Sequence, residues 1–258
     1  SPATHSSFST PLELMSFIQQ LRTLSEGKPV GFKLCIGHPW EWFAIVKAML
    51  ETGIQPDFIV VDGAEGGTGA APLEFSDHMG MPLQEALRLV HNTLVGAGLR
   101  DSIHVGASGK IVSAFDMARA LALGADWCNS ARGFMFALGC IQAQTCHSGN
   151  CPTGVTTQDP TRQMALVVPS KAERVHNFHS HTLEALQELM EASGLKTPHD
   201  FTPRHIMRRV SETQTLHLSE LVDTVEAGAL LKEDVSALPS VFSDWPLTNA
   251  KSFGIQAA

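Results

Sequence analysis

Four short apolar runs, PVGFKLCIG (29–37), DFIVVDG (57–63), SIHVGASG (102–109) and ADWCNSA (125–131), each precede a segment of helical period. Strands that alternate with helices long enough to cross over a sheet run parallel and connect with a right hand, so such strands are expected to be buried on both faces. Two architectures fit the alternation, an open doubly wound sheet or an eight-stranded barrel. A barrel needs eight strand–helix units and about 250 residues. Four units occupy the first 140 or so positions and the pattern does not repeat afterwards, so a barrel built from this chain is half of one.

The helices are marked by their ends. PLELMSFIQQLRTLSEG carries apolar residues at Leu12, Met15, Ile18, Leu21 and Leu24 and stops at Gly27, and EWFAIVKAMLETG closes at Gly53. A helix is expected from about Pro82 to Val95, a third across KIVSAFDMARALALG, and another ending near Gly139. KAERVHNFHSHTLEALQELMEASG gives a long helix ending at Gly194, with weaker helical signals in PHDFTPRHIMRRV and LHLSELVDTVEAGALL. Residues 1–165 are therefore expected to form the barrel half, and 166–258 a helical extension and irregular tail of the same domain.

With 258 residues and 43% hydrophobic side chains the chain can bury a substantial core. A net charge of -8 and no Lys/Arg run leave little attraction for nucleic acid or anionic membranes. No apolar run approaches the roughly 20 residues of a membrane span, and the N-terminus lacks signal-peptide order, so a soluble, cytoplasmic protein is expected. The opening Ser1-Pro2 suggests a piece of something longer, and a membrane anchor in a preceding segment is left open.

Chemistry is concentrated in four places. DGAEGGTGAAP (62–72) follows a strand, and its glycines let backbone amides approach a planar ring or a phosphate, although an ordinary surface loop has the same composition. GASGK (106–110) and NSARG (129–133) each join a strand to a helix and form either a phosphate cradle or simple helix caps at Ser108, Gly109 and Ser130. Lys33 stands alone in an apolar strand, where an ammonium needs a partner or a role, unless its head reaches solvent.

The fourth is GCIQAQTCHSGNCPTG (139–154), with three of the five cysteines. Three thiolates at short loop spacings, the last before Pro152, suit iron–sulfur ligation with one thiolate per iron. Zinc held by the three thiols and His147 is the competing reading, and inert clustering a third. Cys35 and Cys128, inside apolar strands, are expected to be core filler. His176 and His179 share a helical face with His181 nearby, but no carboxylate in register supports a metal site.

From about Lys33 to Pro160 the chain resembles the flavin-binding synthase domain of the glutamate synthases, and more closely the stand-alone FMN-binding glutamate synthase-like proteins. GGTGAAP resembles the family's glycine loop, GASGKIVSAFDMARALALGADWCNSARG the FMN phosphate-binding strand pair, and the cysteine run with PTGVTTQDP the cluster motif. The resemblance implies the C-terminal half of a (β/α)8 barrel, strands five to eight. It implies FMN, a 3Fe-4S cluster, and reduction of an imine formed from 2-oxoglutarate, or a related 2-oxoacid, and ammonia to give glutamate.

Carried over, Cys140, Cys146 and Cys151 are the expected cluster ligands, with Lys33 and Glu65 as expected catalytic contacts of the flavin or oxoacid. Gly66, Gly67, Thr68 and Gly69 would lie beside the flavin ring, and Ser108, Gly109, Lys110, Ala131 and Arg132 around its phosphate. The ASGK turn departs from the family's Asp-Gly-Gly-type turn, and no glutaminase domain is present. The electron donor, a protein or a pyridine-nucleotide reductase, is left unspecified. Half a barrel exposes strand edges and an apolar inner face, so the chain is expected to bind its missing half, self-associate or rearrange, or else to be a non-catalytic module that keeps the motifs.

Overall fold

A computed structural model describes residues 5–66 and 74–255. Its centre is a four-stranded sheet of β1 (Gly31–Leu34), β2 (Phe58–Asp62), β3 (His104–Ser108) and β4 (Trp127–Asn129), all parallel and in the order β1-β2-β3-β4. That sequential order decides between the two candidate architectures. A doubly wound sheet reverses its strand order at a switch point, whereas these strands advance in one direction, as in the wall of a (β/α)8 barrel. The fold is α/β, with four of the eight strands that such a barrel closes.

Right-handed crossovers between strands in sequential order place every helix on one face. The helices are α1 (Pro11–Leu24), α2 (Pro39–Thr52), α3 (Leu83–Gly96), α4 (Ala114–Ala122) and α5 (Arg132–Leu138). Ile59, Val61, Val105 and Ala107 point into this layer and are fully buried with Phe43, Val46, Leu87 and Leu94. The opposite face carries Lys33, Val60, Asp62, His104, Trp127 and Asn129, and Lys33, His104 and Asn129 are exposed. The expectation of strands buried on both faces is thus corrected: four strands leave the concave side uncovered. Cys35 is corrected with it. It lies just past β1 and is exposed, whereas Cys128 is partly buried with its thiol pushed up to about 12 by burial.

The lower ends of the strands are stitched by a device used twice. Asp57, just before β2, accepts from Val30 N (2.7 Å) and Arg22 Nη2 (2.9 Å). Asp126, just before β4, accepts from Val105 N (2.6 Å) and Arg100 Nη2 (2.8 Å). Each carboxylate thereby accepts from an amide at the start of a neighbouring strand and holds an arginine.

Beside the second stitch, Arg100 Nε donates to His91 Nδ1 (3.4 Å). Burial, then the charges of Arg88 and Arg100, pull His91 down to about 4. Its unfolded pKa lies near 6.5, so the unfolded chain binds the extra proton between the two values, and stability is full above pH 6.5 and falls as pH drops toward 4. At 1.36 kcal/mol per unit the loss is about 3 kcal/mol. Urea midpoints between pH 7 and 4.5 are expected to fall more steeply for the wild type than for His91→Gln, and parallel slopes would refute the assignment.

Past α6 (Pro160–Gln163), α7 (Val168–Ala192) crosses α5. The helical signals beyond it are corrected. PHDFTPRHIMRRV forms two 3-10 turns, each started by a proline, and then β5 (Met207–Arg209), paired antiparallel with β6 (Thr215–His217). LHLSELVDTVEAGALL keeps only 3-10 turns at Leu218–Glu220 and Ala229–Leu231. Its β-branched Val222, Thr224 and Val225 resist helix, and its leucines dock singly: Leu218 and Leu230 are buried, and Leu230 lies against Gly96. The tail then folds back over α2, where Lys47 Nζ donates to Trp245 O (2.5 Å) and Thr248 O (2.8 Å) and Phe43 stacks on Phe242 (5.5 Å). Among the described residues no helix is long and apolar enough to cross a membrane.

Candidate functional site

The upper, C-terminal ends of the four strands converge on one rim, where ligands bind in parallel α/β folds. In register across it stand Asp62, Ser108 and Asn129. One layer below stand Lys33, Val60, Gly106 and Trp127. Lys33 is not buried: its side chain is 60% exposed and its Nζ lies 2.9 Å from Asp62 Oδ2. The ammonium is therefore held by a carboxylate while still free to donate into the concave side. Gly106 is required here, because a Cβ would lie 2.5 Å from the Trp127 indole. That indole donates to Asn129 Oδ1 (3.2 Å).

The two expected phosphate turns are neighbours. Ser130 Oγ donates to Ile111 O (2.8 Å), tying the turn after β4 to the turn after β3. Their helices differ, however. The start of α4 carries its own capping box, with Ser113 Oγ accepting from Asp116 N and Asp116 accepting from Ser113 N, and SGK precedes that helix by several residues. The N-terminus of α5 has Ala131 as its cap residue and no side-chain cap, and Arg132 is its first residue. Lys110 has a left-handed backbone (φ 46°) and is paired with Asp77 (2.7 Å). Glu65 does not face Lys33. It turns beneath the loop toward α3, with its Oε1 accepting from Leu83 N (2.9 Å). Gly66 is the last described residue of the glycine loop, and Gly67, Thr68 and Gly69 lie outside the described residues.

The cysteines follow directly from α5. Gly139 (φ 106°) ends that helix, and the next amide, Cys140 N, reaches back to Met135 O (3.0 Å), so the helix terminus fixes the first thiol. Cys146 opens a 3-10 turn closed by Gly149. Cys151 precedes Pro152, and Gly154 (φ 78°) runs so close to Arg162 O that a Cβ would overlap it. The helix α7 braces the assembly from outside: Phe178 packs edge-on against Phe134 (5.3 Å) and over Gly133.

Cys140, Cys146 and Cys151 line one pocket with Met135, Thr153 and Thr156. Three features of its wall suit an anionic metal–sulfur group. The loop alternates its backbone, with Gln142 and Gln144 left-handed (both φ 57°) around Ala143, a pattern that turns successive amides to one side. Gln142 N already points at Cys140 Sγ (3.4 Å). Thr156 Oγ1 is buried in the same wall, with its hydroxyl turned toward the Cys151 sulfur.

Burial opposes the Cys151 thiolate, but the Thr153 hydroxyl, the amides of Thr156 and Thr153 and the Thr156 hydroxyl outweigh it and bring the thiol down to about 6. The three thiols sit around the pocket rather than on a point, and among the described residues no three His, Cys, Asp or Glu side chains converge on a single ion.

The family model described as the conserved region in glutamate synthase matches residues 1–196. This chain belongs to the glutamate synthase family. It is 42% identical over 222 residues to the glutamate synthase large subunit-like protein YerD of Bacillus subtilis, covering 86% of this chain and 42% of that protein. It is 34% identical to the archaeal glutamate synthase [NADPH] of Methanocaldococcus jannaschii, covering 76% of this chain and 38% of that one. The chain thus spans about two fifths of the length of these family relatives. Among solved structures, a mutant flavocytochrome b2 with benzoylformate superposes with a TM-score of 0.45 at 15% identity, over 72% of this chain and 37% of that one.

Reasoning from sequence missed Asp62, Asn129 and Trp127. Asp62 was accessible in principle, since Phe58, Val60 and Asp62 alternate onto one face. That this face is the one carrying Lys33 depends on a strand register that no local pattern states.

Proposed function

We propose that this chain supplies half of an FMN- and iron–sulfur-dependent oxidoreductase. It would reduce the imine of 2-oxoglutarate, or a related 2-oxoacid, and ammonia to glutamate, with four further strand–helix units closing the barrel. The observation that carries the proposal is the single pocket shared by Cys140, Cys146 and Cys151, with the buried Thr156 hydroxyl in its wall. When bound, a flavin supplies hydride transfer and the cluster supplies electron transfer.

The residues of this chain supply position and charge. Lys33, aimed by Asp62, offers ammonium donors to a 2-oxoacid carboxylate or to the electron-rich edge of the flavin. The uncapped start of α5 and the turn at Ser108 and Gly109, joined through Ser130, offer amides to the phosphate. Thr156 offers its hydroxyl proton to sulfur beside Cys151. The uncovered concave face, with Trp127 and Phe58 edge-to-face across it (6.1 Å), supports closure by a second set of strands, in the same polypeptide or in an associated one. The NADPH in the archaeal relative's name supports a pyridine nucleotide as the ultimate electron source.

The test is composition. The full-length protein, purified without oxygen, is expected to contain iron and acid-labile sulfide in the ratio of a 3Fe-4S cluster, together with FMN. One zinc with no iron or sulfide, or protein that takes up neither flavin nor iron on reconstitution, would overturn the proposal.

A further inference from the structure

We infer that Glu65 is a positioning residue that clamps together the two cofactor-binding loops and the start of α3, and that it takes no part in proton transfer. The inference rests on the proposed flavin site for its consequence but on geometry alone for its substance. The residue before α3 is Pro82, which has no side-chain cap to offer, so the first helical amide lacks the usual local partner. Glu65 Oε1 supplies it from eighteen residues upstream, accepting from Leu83 N at 2.9 Å. A carboxylate at that end of a helix is also favoured by the helix dipole.

Its second oxygen, Oε2, is buried with no partner and is wedged between two strand-end turns. A Cβ on Gly63 would overlap Oε2, and a Cβ on Gly109 would lie 2.9 Å from it. Gly63, at the root of the glycine loop, and Gly109, in the phosphate turn, leave the room that this carboxylate fills. The two turns are already joined by Gly63 N to Ser108 O (2.8 Å), and the loop is closed at its base by Ala64 N to Met81 O (3.0 Å). Glu65 adds the third side of the triangle, α3 itself. Loss of the clamp would therefore loosen the flavin-ring and phosphate ends of the site together.

The test compares Glu65→Gln, Glu65→Ala and Gly109→Ala in the full-length protein. Hydrogen exchange over the first turn of α3 is read without added flavin, and FMN affinity by quenching of flavin fluorescence. In Glu65→Ala, exchange at the Leu83 amide is expected to speed up about tenfold, the scale of a lost helix cap, with weaker FMN binding to match. Glu65→Gln keeps the acceptor and is expected to stay within about twofold of wild type on both readouts. Gly109→Ala, which crowds Oε2 without removing it, is expected to reproduce the faster exchange.

Unchanged exchange in Glu65→Ala would overturn the inference, as would equal loss of turnover in the Gln and Ala variants with FMN binding intact. Should even the wild type fail to bind FMN, the flavin proposal falls while the exchange measurements still decide the clamp.

Discussion

Replacing Cys151 with alanine is expected to give full-length protein free of both iron and sulfide, whereas Cys128→Ala and Cys35→Ala keep wild-type amounts. The contrast follows from where the fold puts each sulfur. Cys128 belongs to the helix-facing side of β4, where burial pushes its thiol up to about 12 and leaves it inert. Cys35 stands alone past the end of β1, against Gly80. Cys151 shares its pocket with two more thiols and three threonines. In the proposed cluster three thiolates would serve three irons with no spare ligand, so losing one would remove the group rather than loosen it. Iron and sulfide assays on the three variants check this, and retention of a stoichiometric cluster by Cys151→Ala would refute the ligand assignment.

The second large effect is at the other end of the strands. Asp126→Ala is expected to lower stability by about 3 kcal/mol, because the Val105 amide loses its acceptor and the Arg100 guanidinium its charged partner at once, and hydrogen bonds to charged groups contribute about 1.5–3 kcal/mol each. The Asp126 and Arg100 side chains are only 23% and 18% exposed, so solvent screens the pair weakly. Asp77, paired with Lys110 but 53% exposed, is the control, and Asp77→Ala is expected to cost less than about 1 kcal/mol. Urea unfolding at pH 7 measures both. Equal losses would show that the stitch adds nothing beyond a surface ion pair.

The alternation of strands and helices, their parallel pairing and their helix ends at Gly53 and Gly139 were legible because each depends on local period and end chemistry. The cysteine run was legible for a similar reason: its thiols lie within twelve consecutive residues, so one loop can gather them. What lay beyond reach was set by long-range geometry. Lys33 looked buried because its neighbours are apolar, yet it is exposed because no further strands of this chain cover its face. Glu65, which the resemblance offers as a catalytic contact, has its Oε1 bound by an amide eighteen residues away, a partner that no local pattern announces. In the tail, the spacing of Leu218, Val222, Val225 and Leu230 imitated a helix. Those side chains instead descend one by one onto a surface that other segments had built.

The paired stitches at Asp57 and Asp126 have a bearing on how such a scaffold could be altered. They fasten the floor of each strand pair by contacts that involve none of the rim residues, so changes of chemistry above need not be negotiated with stability below. A protein engineer could exchange one strand pair, floor and all, for its counterpart from a relative, or redraw the rim loops wholesale, and expect the foundations to hold.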